Sequence, residues 1–82
     1  MVINLLDRLH GSGELKALYM AGVISFSSIN NRKIYHTYKD RINNDVDKGE
    51  AVKQAADVHN VSFVTVYTAI KKMEIPVSIP KV

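Results

Sequence analysis

The stretch DKGEAVKQAADVHNVSFVTVYTAIKKM, residues 47–73, decides the fold that we predict for this chain. Its first half opens with Asp47, a favourable N-cap, and carries Glu50 three positions later. This is the spacing of a capping box, in which Glu50 also reaches back to the backbone N–H of Asp47. An apolar stripe follows at helical spacing, made of Ala51, Val52, Ala55 and Ala56. We therefore predict a helix over residues 47–59.

The second half of the stretch predicts another helix after a tight turn. Asn60 tolerates the left-handed conformation that ends a helix, and Ser62 is a good N-cap for the next one. Four apolar side chains then fall on one side of a helix over residues 62–73: Val66, Ala69, Ile70 and Met73. The turn and the second helix together predict a compact two-helix unit.

A strand is the competing interpretation of the same residues. Residues 61–68 are rich in β-forming side chains, and a strand over residues 61–70 could pair with residues 75–79. The apolar residues do not alternate, however, and residues 69–74 continue a helical pattern. The helix is therefore preferred.

The two predicted helices resemble a helix-turn-helix DNA-binding unit. The usual pattern has a small residue in the first helix, a turn residue four positions later, and then an apolar residue, Ser and a further apolar position. These places hold Ala56, Asn60, Val61, Ser62 and Val66. The ending VSFVTVYTAIKKM is similar to the recognition-helix region of resolvases, invertases and Mor-type phage activators, which often read V-S-x-x-T-V-Y. The resemblance lies within residues 47–73 of the 82-residue chain.

The resemblance implies that the second helix enters the major groove of DNA with its N-terminus first. Its DNA-binding residues would then be Ser62, Phe63, Val64, Tyr67, Thr68, Lys71 and Lys72. Ser62 and Thr68 can bond a base edge or a phosphate, whereas Phe63 and Val64 can touch only apolar features such as the thymine methyl group. We therefore expect weak direct readout of sequence, helped by DNA shape. The alternative is that Phe63, Val64 and Tyr67 pack against the domain or a protein partner.

The distribution of charge also favours a nucleic-acid partner. The net charge is +3 and the isoelectric point is near 9.3. Residues 32–41 hold four basic residues against one acid, and residues 62–82 hold three against one. Positive charge on two segments of the chain suits contact with the phosphates of a DNA duplex, although a solvated charged surface is the simpler explanation. Three basic residues of the preceding helix are candidate phosphate contacts: Arg32, Lys33 and Lys39.

The rest of the chain predicts three further helices and a tail. Ile34, Tyr38 and Ile42 recur every four residues in a long helix over residues 28–43, which would brace the following two in a trihelical core. Short helices are expected over residues 2–9 and 13–21. The predicted organisation is an N-terminal arm (1–24), a helix-turn-helix domain (25–74) and an extended C-terminal tail (75–82). The tail is expected to be extended because Pro76 and Pro80 exclude a helix there.

The N-terminal arm has two interpretations. Its large apolar residues can form a dimer surface or cover the trihelical core within one molecule. They are Leu5, Leu6, Leu9, Leu15, Leu18 and Tyr19.

Composition excludes several classes of protein. The chain has no cysteine, which excludes a disulfide framework and a zinc finger. It has no apolar run of membrane-spanning length and no secretory signal pattern, so a cytoplasmic location without a membrane partner is expected. His10, His36 and His59 stand far apart and show no metal-ligand spacing. With no catalytic constellation and little room for a substrate pocket, we expect neither an enzyme nor a cofactor nor a small-molecule substrate.

The sequence thus predicts a small all-α protein that binds double-stranded DNA, as a homodimer. The resemblance implies a transcriptional regulator or a recombination accessory factor of prokaryotic or phage type. The alternative is a protein-interaction or oligomerisation module built on the same fold, with Phe63 and Val64 as its contact patch.

Overall fold

The computed structural model describes residues 1–77, and within them the chain is all-helical, without a strand. The five helices are α1 (Val2–Gly11), α2 (Glu14–Met20), α3 (Phe26–Asn43), α4 (Lys48–His59) and α5 (Phe63–Met73). The all-α prediction is confirmed, and the competing strand over residues 61–70 is wrong because α5 occupies residues 63–70. None of the helices in this part of the chain has the length and apolar character needed to cross a membrane.

The helix boundaries agree with the predicted ones to within two residues, and the differences have local causes. Helix α3 begins at Phe26 instead of residue 28, because Ser25 acts as its N-cap and accepts the backbone N–H of Ser28 at 3.3 Å. Helix α1 extends to Gly11, and Gly13 then turns the chain with a φ of 82°. That conformation is readily available to glycine.

The predicted capping box of α4 forms only in part. The Asp47 carboxylate accepts the backbone N–H of Gly49 at 3.2 Å, so it does cap the helix. Glu50, however, accepts a hydrogen bond from the side chain of Gln54 at 3.4 Å, one turn further along the helix. The prediction that Glu50 accepts a hydrogen bond from the backbone N–H of Asp47 is therefore wrong.

The core forms where α3, α4 and α5 pack against one another. Ile34 of α3 and Val66 of α5 are fully buried at its centre. Three alanines have no exposed surface, Ala51 and Ala55 on α4 and Ala69 on α5. Their small side chains let helices approach closely, because packing distance depends on the side chains at the contact.

The N-terminal arm covers this core within the same molecule. Leu6 of α1 and Leu15 of α2 are buried in the core, and Leu9 packs against it. These residues are therefore removed from the expected dimer surface, of which Leu5 and Leu18 remain half-buried and Tyr19 exposed. The backbone also joins the two ends of this part of the chain, since Val2 N–H donates to the carbonyl of Ile75 at 2.8 Å.

The predicted extended tail falls partly outside the described residues. Residues 75–77 follow the end of α5 without helical structure, and Ile75 and Val77 keep 49% and 39% of their surface exposed. Residues 78–82 lie outside the described range.

An ion-pair cluster holds α1 on α3. One oxygen of the Asp7 carboxylate accepts a hydrogen bond from Arg32 Nε at 2.9 Å and another from His36 Nε2 at 2.7 Å. Partial burial by itself raises the pKa of Asp7, but the bonds and charges of His36 and Arg32 outweigh it. The pKa of the Asp7 carboxyl therefore lies below its ordinary value of 3.8. The pairing stabilises the fold above that ordinary pKa, and this contribution is lost as the pH falls through the lowered pKa.

Replacing the charge of Asp7 should destabilise the protein in a pH-dependent way. We expect Asp7→Asn to lower the free energy of unfolding at neutral pH by up to about 1 kcal/mol, since more than a third of this side chain is exposed. The difference from the wild type should shrink as the pH falls below the ordinary Asp pKa. Urea unfolding across this pH range measures both effects. Asp57→Asn, an equal charge change on the exposed side of α4, is the control; a pH-independent difference for Asp7→Asn would contradict the assignment.

Candidate nucleic-acid interface

The turn between α4 and α5 fixes the direction of α5. Asn60 adopts the left-handed conformation, with φ 53° and ψ 50°. The next residue, Val61, donates its backbone N–H to the carbonyl of Ala56 at 3.0 Å. Ser62 then caps α5, because its Oγ accepts the backbone N–H of Thr65 at 3.2 Å. The predicted roles of Asn60 and Ser62 are confirmed.

His59 ties this turn to α3 through a polar contact. Its Nε2 lies 2.7 Å from the Thr37 hydroxyl oxygen. That hydroxyl donates to the backbone carbonyl of Lys33 at 3.3 Å, which leaves the oxygen free to accept the Nε2–H of His59. His59 is half-buried, as a structural residue would be.

Helix α5 has a buried face and an outward face. Its four predicted core residues are all buried: Val66, Ala69, Ile70 and Met73. On the outward face, Phe63, Val64 and Tyr67 expose 55%, 73% and 50% of their surface. Thr68 and Lys71 are exposed on the same side, and Ser62 is exposed at the N-terminal end of the helix. The structure therefore brings together six of the seven residues predicted on this helix. We call them the α5 face: Ser62, Phe63, Val64, Tyr67, Thr68 and Lys71.

Lys72 lies at the edge of the α5 face. It follows Lys71 by one residue, which rotates it by about 100° around the helix axis. It lines a groove that α5 shares with α1 and α3, beside Met73. Only Lys71 of this pair is therefore central to the α5 face.

The three basic residues predicted on α3 have different surroundings. The side chain of Arg32 is paired with Asp7 and only 16% exposed, so it is unavailable as a simple phosphate contact. Lys33 lies one turn before Thr37, on the side of α3 that meets the turn at His59. Lys39 lies one turn after Tyr35, on the side that meets the end of α5. The two lysines therefore flank different parts of the two-helix unit.

The acid nearest to the α5 face in the sequence is already engaged. Glu74 accepts a hydrogen bond from the Tyr35 hydroxyl at 2.9 Å. Burial of Tyr35, followed by the bond and charge of Glu74, raises the pKa of this hydroxyl to about 12. The Tyr35 hydroxyl therefore stays protonated at neutral pH and donates its hydrogen bond to Glu74. No acid occurs between Ser62 and Met73, so the face itself carries only positive charge.

Sequence reasoning missed some features of this surface. Arg32 and His36 have the i, i+4 spacing of neighbours on one helix face, a signal that could have paired them. Their partner Asp7 lies 25 residues before Arg32 on another helix, and no local pattern points to it. The exposure of three apolar residues was also not predicted: Met20 at the end of α2, Val23 in the connection, and Phe26 at the start of α3.

A metal centre is not seen in residues 1–77. No group of three His, Asp or Glu side chains in this range lies close enough to hold an ion. His36 and His59 make the protein contacts given above. Comparison with protein families, curated proteins and solved structures gives no match.

Loss of the α5 cap should be measurable. We expect Ser62→Ala to lower the free energy of unfolding by about 1 kcal/mol, because the N–H of Thr65 loses its partner. Thermal unfolding monitored by circular dichroism measures this effect. Ser27→Ala, at an exposed position within the first turn of α3, is the matched control and should leave the stability nearly unchanged. An equal loss in both variants would contradict the capping role.

Proposed function

We propose that this protein binds double-stranded DNA by placing the α5 face in the major groove. The observation that carries the proposal is the outward face of α5. This face is exposed from Ser62 to Lys71 and contains no acid, and the side chain of Ser62 caps the helix. A helix with its N-terminus at the groove and its opposite face in the core is the docking element of helix-turn-helix proteins.

The side chains of the α5 face suit backbone contacts more than base recognition. Lys71 supplies a cation for phosphate, and Ser62 and Thr68 supply hydroxyl groups for phosphate or base edges. Phe63 and Val64 can contact thymine methyl groups but cannot form the bidentate bonds that discriminate guanine or adenine. The protein should therefore prefer sequences mainly through their shape and flexibility.

Dimerisation belongs to this proposal, because one unit of this kind contacts only a few base pairs. A homodimer supplies two half-sites and doubles the number of phosphate contacts. Of the six arm residues predicted as a dimer surface, Leu5 and Leu18 are half-buried and Tyr19 is exposed, so these three remain candidates. The biological role that fits is a small transcriptional regulator or a recombination accessory factor.

The salt dependence of binding tests the proposal. We expect labelled duplex DNA to bind at low salt, with a log–log slope of about −3 or steeper, since each phosphate contact contributes about −0.9. Lys71→Glu should abolish or strongly weaken this binding, because it places an acid at the centre of the α5 face. Fluorescence anisotropy measures both quantities.

The control keeps the total charge matched. Lys16→Glu on α2 lowers the net charge by the same two units, from +3 to +1, at an exposed position away from α5. It should retain most of the affinity. Equal losses in the two variants would indicate nonspecific attraction only, and absence of binding at low salt would refute DNA binding.

Protein interaction is the second candidate function, favoured by the exposure of three large apolar residues on one helix face. Phe63, Val64 and Tyr67 are each at least half exposed, and side chains of this kind often form the centre of an interface. In this case α5 would contact a second protein or another copy of the chain, and DNA would not bind.

Replacing the two apolar residues distinguishes the candidates. For an oligomerisation surface, we expect Phe63→Ser with Val64→Ser to convert an assembled protein into monomers in sedimentation velocity. Both side chains are exposed, so the fold should be retained, as circular dichroism can verify. A species of unchanged size would exclude α5 as the self-association surface.

A further inference from the structure

A groove at the junction of three helices is not part of the α5 face. It lies between α1, the beginning of α3 and the end of α5, and has a volume of about 330 Å³. This volume is within the range of small-molecule sites. Its apolar lining comes from Val2, Leu6, Ile24, Met73 and Ile75. The small core predicts little room for a substrate pocket, and this groove lies at the surface between the helices.

Asn31 lies in the wall of the groove and is the one polar residue of the buried core in residues 1–77. Only 8% of its surface is exposed. Its side-chain amide makes no hydrogen bond to another residue of the range that the structure describes, although both its oxygen and its nitrogen need partners. Within residues 1–77 no buried side-chain nitrogen or oxygen atom lacks a hydrogen-bond partner. The polar atoms of the Asn31 amide are therefore open to the groove that the residue lines, where they can bond a bound molecule.

Lys72 lies at the rim of the same groove and provides its charge. It forms no ion pair with a carboxylate within residues 1–77, and no acidic side chain lines the groove. Ser28 belongs to the first turn of α3, where the helix dipole favours negative charge, and Asn31 lies about one turn further along. The polar end of the groove is therefore suited to an anion, and the remainder is suited to an apolar body.

We propose that this groove binds a small amphipathic carboxylate. The apolar body packs against Leu6 and Met73, and the carboxylate accepts hydrogen bonds from the Lys72 ammonium group and the Asn31 amide. The proposal is independent of DNA binding, because it uses the edge of α5 and leaves the α5 face free.

Octanoate and octan-1-ol are suitable probes, since they share an apolar chain and differ in charge. We expect octanoate, kept below its micellar concentration, to shift the amide resonances of Leu6, Asn31 and Met73 in a ¹H–¹⁵N correlation spectrum. Octan-1-ol should bind at least about tenfold more weakly, because it lacks the charge-assisted bonds. Lys72→Gln should weaken octanoate binding by a similar factor and leave octan-1-ol binding unchanged.

Two further variants complete the test. Lys71→Gln removes the same charge from the α5 face and should leave octanoate binding unchanged, although it should weaken DNA binding. Asn31→Leu removes the amide with a side chain of similar size and should weaken octanoate binding. Lys72→Gln alone decides the matter if the Asn31 variant does not fold, because Lys72 is exposed.

Three results would overturn the proposal. They are the absence of shifts at the groove residues, equal affinity for octanoate and octan-1-ol, and equal loss in the Lys71 and Lys72 variants. Each can occur whether or not the protein binds DNA, so failure of this proposal is distinguishable from failure of the proposed function.

Discussion

The contact of α3 with both α4 and α5 is the interaction on which the rest of the structure depends. Ile34 of α3 and Val66 of α5 have no exposed surface, and the alanines on α4 and α5 let the helices approach closely. Because one face of α5 is used entirely in this contact, the opposite face must point away from the core. Burial of Val66, Ala69, Ile70 and Met73 therefore also determines which residues form the α5 face.

The local part of this structure could be predicted from the sequence because its causes are local. Asn60, Ser62 and Asp47 act through backbone groups two to four residues away, and the apolar periodicity of α5 records which side is buried. These signals gave the helices and the six residues of the α5 face. They do not establish a helix-turn-helix relationship, which stays a proposal together with DNA binding.

What could not be predicted involves residues distant in the chain. Arg32 was expected to contact phosphate, but the position of α1 brings Asp7 beside it and pairs its charge within the protein. Leu6 and Leu15 were candidates for a dimer surface, but the same docking of the arm buries them. The groove beside Asn31 likewise exists only because α1, α3 and α5 meet there. Sequence periodicity shows that a residue is buried without showing which element covers it.

The backbone hydrogen bond from Val2 to Ile75 has a consequence for the order in which the molecule assembles. Helices α3, α4 and α5 follow one another directly, so their contacts close short loops and can form early. The bond between Val2 and Ile75 instead closes nearly the whole chain, and the entropy lost in closing a loop increases with its length. We therefore expect the three-helix core to form first and α1 to join it late. Opening of this last-formed contact would be the least costly local unfolding step, with the α5 face still intact.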